Sequence, residues 1–236
     1  MTEPTSRTLL RGHERLLVRG GVLLTGAILL SALGGWSRRA HDEPVVPASA
    51  GASTADASAS RSFDDRAALL KLRLDRAEAI MAYSSRYQIP ADLSAAIYDN
   101  ALAEGIDPEL GFRLVKVESQ FKATARSNRS AVGYTQLMLA TARIYKRNIT
   151  EAELYDRDTN LRLGFRFLKS LLKQYHYDYH LALLAYNRGP GRVDSILADG
   201  GDPANGYSDA VLGGFTPRRI SAVQQERHAE VLGSGM

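Results

Sequence analysis

Glu118 is the residue whose type and position point most directly to chemistry. Asp107 followed by Pro108 predicts the start of a helix, because aspartate caps free backbone N–H groups and the fixed φ of proline suits the first helical position. Leu110 and Leu114 then recur at helical spacing and predict one apolar face. Glu118 follows Leu114 by four residues and lies on that face. A carboxyl group in apolar surroundings holds its proton to higher pH, so Glu118 can act as a proton donor near neutral pH.

The same glutamate also has an ordinary interpretation. Glutamates near helix ends are commonly solvated, or they pair with a base four residues later, which here is Lys122. Position alone therefore leaves both interpretations open, and the residues that follow along the chain favour catalysis.

Further motifs follow Glu118 in a fixed order. They are Glu118-Ser119-Gln120-Phe121 with Ser127, Gly133-Tyr134-Thr135-Gln136-Leu137-Met138, the stretch Asn160 to Leu168, and Ala185-Tyr186-Asn187-Arg188-Gly189-Pro190-Gly191. Together they resemble the catalytic core of the soluble-lytic-transglycosylase (SLT) family, which has a goose-lysozyme-like fold. The resemblance covers about residues 92–200.

The resemblance implies a reaction. Members of this family cleave the β-1,4 bond between N-acetylmuramic acid and N-acetylglucosamine in peptidoglycan and form 1,6-anhydro-N-acetylmuramic acid ends. Glu118 matches the lone catalytic acid/base of the family. Ordinary glycosidases use two carboxylates, and no second acid lies between Glu118 and Met138. A lysozyme-type hydrolase and a non-catalytic wall-binding component of a secretion apparatus are the alternatives.

The resemblance also implies which residues surround the substrate. Ser127 matches a serine beside the acid, Gln136 a glutamine that hydrogen-bonds the substrate, and Met138 a methionine in the groove wall. Tyr186 matches a tyrosine that contacts the acid, and Asn187 a neighbouring substrate-contacting or turn-forming residue. Taken alone, Ser127 also fits a turn and Met138 also fits core packing.

The chain departs from the family pattern at several positions. Tyr134 and Thr135 replace Leu-Met, Leu139 replaces proline, Arg188 replaces alanine, and Ser130 stands where glycine is common. Tyr134 either stacks on a sugar or packs in the core, and Arg188 adds charge at the edge of the groove.

The elements that position these residues are predicted to be helical. Helices are expected over about 63–87, 92–104, 131–145, 159–175, 179–187 and 191–198, with another starting at Asp107. No segment alternates with a period of two residues, so we predict an all-α, lysozyme-like domain over 63–212. Residues 213–236 form either a peripheral helix or a loose tail.

The N-terminal region predicts export. Arg7, Arg11, Arg15 and Arg19 precede an apolar run from Gly20 to Trp36, so residues 1–36 are read as a signal-anchor or a signal peptide. The Ala-, Ser- and Pro-rich residues 37–62 predict a disordered linker. We therefore expect a periplasmic protein, anchored in the inner membrane or soluble after cleavage.

The composition excludes several kinds of chemical site and binding partner. The chain has no cysteine, which excludes disulfides and thiolate sites. His176 and His180 lack a third metal ligand nearby in the sequence. The arginines are scattered and do not form the signature of a nucleic-acid-binding module. We expect no cofactor, no metal and no nucleic acid. The expected partners are peptidoglycan glycan strands, the inner membrane and secretion or cell-envelope machinery.

Overall fold

The computed structural model describes residues 52–233 of the chain, with side chains from residue 63 onward. The helices and strands are α1 (Ala52–Tyr87), α2 (Ala91–Ala103), α3 (Pro108–Ser119), β1 (Ala131–Val132), β2 (Leu137–Met138), α4 (Leu139–Tyr145), α5 (Glu151–Leu154), α6 (Arg157–Gln174), α7 (Tyr179–Arg188), α8 (Pro190–Ala198), α9 (Tyr207–Leu212) and α10 (Ala222–Gly233). The domain is therefore mostly helical, as predicted.

The predicted signal-anchor, residues 1–36, lies outside the described residues, and so do residues 37–51 of the predicted linker. Among the helices between residues 52 and 233, none combines the length and the apolar character that crossing a bilayer requires.

Helix α1 begins inside the segment predicted as a linker. The linker was expected to run to residue 62, whereas α1 already begins at Ala52. Residues 52–62 contain no large apolar residue, which argues against their packing on a core. A helix can form without such packing. Alanine has the highest helix propensity, and extending an existing helix needs no new nucleus.

The main core lies between α2, α3, α6 and α7. Helix α3 contributes Leu110, Phe112, Leu114 and Val115, and α6 contributes apolar residues including Leu161, Phe165 and Leu168, all fully buried. The predicted start of α3 is confirmed, because the Asp107 side chain accepts a hydrogen bond from the Glu109 amide at 3.0 Å. The helix ends after Ser119, where Gln120 is left-handed with φ of 51°. Glu118 therefore stands in the last turn of a helix that the core fixes.

The helix predicted over 131–145 begins only at Leu139, and a short hairpin precedes it. Strands β1 and β2 pair antiparallel, with Ala131 opposite Met138 and Val132 opposite Leu137. The turn between them needs left-handed backbone at Gly133 (φ 77°) and Gln136 (φ 46°), which a helix cannot accommodate. The strictly all-α prediction is therefore wrong for this segment.

The C-terminal region is a packed helix. Helix α10 contacts α1 and α2 and buries His228 and Val231. Residues Ala222–Gly233 thus form a helix, in a region for which the sequence left a peripheral helix and a loose tail open. Two further short helices, α5 and α9, were not predicted, and α9 begins with a residue of the candidate site.

Candidate active site

A cleft of about 350 Å³ brings the predicted site residues together. All six of them line it, and they come from α3, the loop after it, the hairpin and the end of α7. These residues are Glu118, Ser127, Gln136, Met138, Tyr186 and Asn187. Ligand sites in proteins commonly measure about 300–1,000 Å³, so the cleft is large enough for a small ligand or for part of a larger one.

Glu118 is partly buried in this cleft. Burial raises the pKa of its carboxyl group to about 7. The hydroxyl of Tyr207 donates a hydrogen bond to Oε1, which stabilises the ionised form and limits that rise. Among the described residues Glu118 forms no ion pair with Lys122 or with any other base. The carboxyl group therefore exchanges its proton close to neutral pH.

The tyrosine that holds Glu118 is not the one that the sequence suggested. The Tyr186 hydroxyl donates instead to the Thr135 carbonyl at 2.8 Å, and its ring packs 5.1 Å from that of Phe167. Burial and the nearby Glu118 raise the pKa of Tyr207 well above its ordinary value, so the phenol remains a donor. Tyr207 lies 89 residues after Glu118. It stands outside every periodic segment, so no local pattern marked it.

Ser127 both forms a turn and faces the cleft. Its Oγ accepts hydrogen bonds from the Arg129 amide at 3.2 Å and from the Ala131 amide at 3.1 Å. Because both bonds use the oxygen as an acceptor, its hydrogen remains available to a group in the cleft. Ser127 therefore stabilises a turn and also lines the cleft.

Gln136 and Met138 present complementary surfaces to the cleft. Nε2 of Gln136 donates to the carbonyls of Ala125 at 3.1 Å and Gly133 at 3.0 Å, which leaves Oε1 as the acceptor for a ligand. Met138 is 44% exposed, so the core-packing alternative is wrong. It provides an apolar patch on the wall of the cleft.

Asn160 holds the hairpin in place. Its Oδ1 accepts from the amide of Thr135 at 2.9 Å and from Oγ1 of Thr135 at 2.8 Å. Its Nδ2 donates to the carbonyls of Val132 at 3.0 Å and Leu154 at 2.9 Å. All four bonds are buried, so one side chain fixes the register of the segment that carries Gln136 and Met138.

Two glycines allow this arrangement. A Cβ on Gly133 would lie 2.3 Å from Nδ2 of Asn160, and a Cβ on Gly164 would lie 2.3 Å from Oγ1 of Thr135. Both distances are far below van der Waals contact, so a side chain at either position would push the hairpin away. The segment that contains Asn160 and Gly164 therefore holds the hairpin that carries Gln136.

The departures from the family pattern have different consequences. Tyr134 is buried in the main core, so the packing alternative is correct and the sugar-stacking one is wrong. Arg188 lines the cleft and donates to the Pro203 carbonyl at 2.7 Å. The exposed Asn187 accepts a hydrogen bond from Asn205 through Oδ1 at 2.9 Å.

The electrostatics of the cleft are simple. Of the described residues that line it, Glu118 alone carries a carboxylate, while Arg129 and Arg188 carry positive charge. The part of the chain between residues 63 and 233 contains no group of three side chains suited to a metal ion. This arrangement suits proton transfer by one acid, Glu118, to or from a ligand that has both polar groups and apolar surface.

Comparison with known proteins gives one family match, and it covers the middle of the chain. Residues 95–205 match the family described as Transglycosylase SLT domain. This region is therefore similar to an SLT domain. The match contains all six predicted site residues and Asn160, whereas Tyr207 lies two residues beyond its end. The hydrogen-bond donor to Glu118 thus lies outside the matched region.

Similar proteins are distant and much longer. Over 108 residues the chain is 29% identical to the "Peptidoglycan transglycosylase gp16" of Escherichia phage T7, covering 44% of this chain and 8% of that protein. The 70 kDa soluble lytic transglycosylase SLT70 of Escherichia coli is 19% identical with a TM-score of 0.46, over 71% of this chain and 30% of the other. An inactive mutant of the lytic transglycosylase Slt from Pseudomonas aeruginosa is 24% identical with a TM-score of 0.37, over 66% and 22%. The chain thus covers less than a third of the length of each of these proteins.

Proposed function

We propose that the protein is a peptidoglycan lytic transglycosylase. Its substrate is the β-1,4 bond between N-acetylmuramic acid and N-acetylglucosamine, and its product is a 1,6-anhydro-N-acetylmuramic acid end. The observation that carries the proposal is the single carboxyl group of the cleft, Glu118, with a pKa of about 7. The SLT family match and the name of the phage relative support the choice of peptidoglycan.

In the first step Glu118 acts as an acid. The protonated carboxyl group gives its proton to the glycosidic oxygen as the bond between that oxygen and C1 of the muramic acid breaks. The N-acetylglucosamine leaves with a free hydroxyl group. A pKa near 7 keeps a large fraction of Glu118 protonated at neutral pH, whereas an ordinary glutamate would be almost fully ionised.

In the second step the same group acts as a base. The ionised Glu118 takes the proton from the muramic acid 6-hydroxyl group while that oxygen bonds to C1 and closes the anhydro ring. The proton returns to the enzyme and no water is consumed. Tyr207 donates to the carboxylate between the two steps and holds one oxygen in place. One carboxyl group therefore serves where a hydrolysing glycosidase uses two.

The other side chains of the cleft bind the glycan in this proposal. Oε1 of Gln136 accepts from a sugar hydroxyl or amide, and the free hydrogen of Ser127 is donated to the substrate. The exposed Met138 packs on the apolar face of a sugar ring. Asn187, which also lines the cleft, adds a polar contact.

Product analysis tests the proposal. Purified sacculi are digested with the protein, and the released muropeptides are analysed by mass spectrometry. Anhydro ends are expected. Reducing ends would instead indicate a lysozyme-type hydrolase, and no release would indicate a wall-binding component. Glu118→Gln is the matched control, because it keeps the size of the side chain and removes the transferable proton.

This function requires export, which we propose from the sequence alone. The arginine-rich leader and the apolar run Gly20 to Trp36 support delivery across or into the inner membrane. Fractionation of cells followed by N-terminal sequencing distinguishes an anchored protein from a cleaved one. Recovery of the full-length chain in the cytoplasm would contradict the proposal.

A further inference from the structure

The loop that leads into α9 is attached to the end of α7. Nη1 of Arg188 donates to the Pro203 carbonyl at 2.7 Å. Next to it, Nδ2 of Asn205 donates to Oδ1 of Asn187 at 2.9 Å. Two consecutive residues at the end of α7 thus hold the same loop, residues 199–206, at two points.

Asn205 extends this attachment to Tyr207. Its Oδ1 accepts a hydrogen bond from the Tyr207 amide at 3.2 Å, at the start of α9. The Tyr207 side chain in turn donates to Glu118. A continuous series of hydrogen bonds therefore joins Asn187, Asn205, Tyr207 and Glu118.

We propose that Asn205 and Arg188 are positioning residues that hold the phenol of Tyr207 on the carboxyl group of Glu118. Helix α9 has only six residues, and its buried apolar residues Val211 and Leu212 lie at the end opposite Tyr207, so the loop before Tyr207 contributes to the placement of its side chain. Arg188 stands where the resembling family usually has alanine, so the attachment at Pro203 is a feature of this chain. The consequence for catalysis rests on the proposed function, but the effect on the proton affinity of Glu118 does not.

A direct role in substrate binding makes a different prediction. Arg188 lines the cleft and can also contact an anionic group of the substrate. Loss of such a contact raises KM and leaves the substrate-free titration of Glu118 unchanged. Loss of positioning changes that titration, because the Tyr207 hydrogen bond stabilises the ionised carboxylate.

The test is a carbon-13 NMR titration of the Glu118 carboxyl group in the full chain without substrate, with its signal assigned by its absence in Glu118→Gln. Tyr207→Phe removes the hydrogen bond to Glu118 completely, so it gives the pKa change with which the other variants are compared. It is expected to raise the pKa of Glu118 by about one unit, because a donor to the charged form is lost. Asn205→Ala and Arg188→Ala are expected to raise it in the same direction by a smaller amount. Either change added to Tyr207→Phe should produce no further rise.

Matched controls separate this effect from general surface changes. Arg147→Ala and Asn148→Ala alter exposed residues of the same types and should leave the titration at the wild-type value. Arg188→Lys keeps a donor for the Pro203 carbonyl and should restore most of the wild-type pKa. A wild-type titration in Asn205→Ala or in Arg188→Ala would overturn the assignment of that residue. Because no substrate is present, the result stands even if the protein proves inactive on peptidoglycan.

Discussion

Glu118→Gln should stabilise the protein, and by an amount that grows with pH. The pKa of Glu118 is about 7 in the folded chain and takes its ordinary value of 4.5 when unfolded. Between these values the folded state holds a proton that the unfolded state has lost, so stability falls as pH rises from about 4.5 to about 7. Glutamine is neutral at every pH, so this loss should be absent in the variant.

The size of the effect follows from the same two values. Their difference corresponds to an upper limit of about 3 kcal/mol in the free energy of unfolding. Because the Glu118 side chain is only partly buried, water screens part of this, and we expect about 1–2 kcal/mol. Tyr207 can still donate to the amide oxygen of glutamine, so the substitution should remove the charge without removing that contact.

Urea denaturation of the wild type and of Glu118→Gln at intervals from pH 4 to pH 8.5 measures this difference. The two proteins should have similar stability near pH 4, and the variant should be more stable above pH 7. Glu226→Gln changes an exposed glutamate and should show no such trend. A difference that stays constant across the range would mean that Glu118 is solvated in the folded protein, and the reasoning from burial would be refuted.

Three further predictions follow from the site. The kcat/KM of the wild type should fall as pH rises through about 7, and Tyr207→Phe should move that fall to higher pH, which pH–rate profiles on soluble glycan fragments will show. Asn160→Ala should lower the free energy of unfolding by about 3–5 kcal/mol, because it leaves the buried Thr135 amide unpaired and opens a cavity, as urea denaturation will measure. Met138→Ala should raise KM roughly fivefold, equivalent to about 1 kcal/mol of lost apolar contact, and should change stability by less than about 0.5 kcal/mol in the same denaturation assay.

Glu118 follows from the sequence because it lies in a regular, periodic segment, whereas Ser127 and Gln136, which lie in a loop and a turn, were assigned through the resemblance. Glu118 could be placed because α3 has a capped start and a clear apolar face, and both depend on residues within a few turns of each other. Met138 was assigned only through the resemblance, since an isolated methionine fits a core or a surface equally well. Its exposure decides the question.

The features that were missed depend on contacts between distant residues. Tyr207 reaches Glu118 from the first residue of a short helix that no apolar pattern marks. The hairpin forms because Asn160, more than twenty residues later, binds the backbone of the turn, and a helical pattern alone cannot show this. Helix α1 includes residues 52–62, although their composition suggested a linker. A stretch that contains several alanines needs no packing to continue a helix.

In the proposed reaction one carboxyl group, that of Glu118, gives a proton to the leaving sugar and takes one back, while the substrate provides its own nucleophile. Digestion of purified peptidoglycan in water enriched in oxygen-18, followed by mass spectrometry of the new muramic acid ends, tests this directly. Ends without oxygen-18 that are lighter than reducing ends by one water are the predicted result. Oxygen-18 at C1 of the new muramic acid ends would show that water attacks instead, and it would contradict the account.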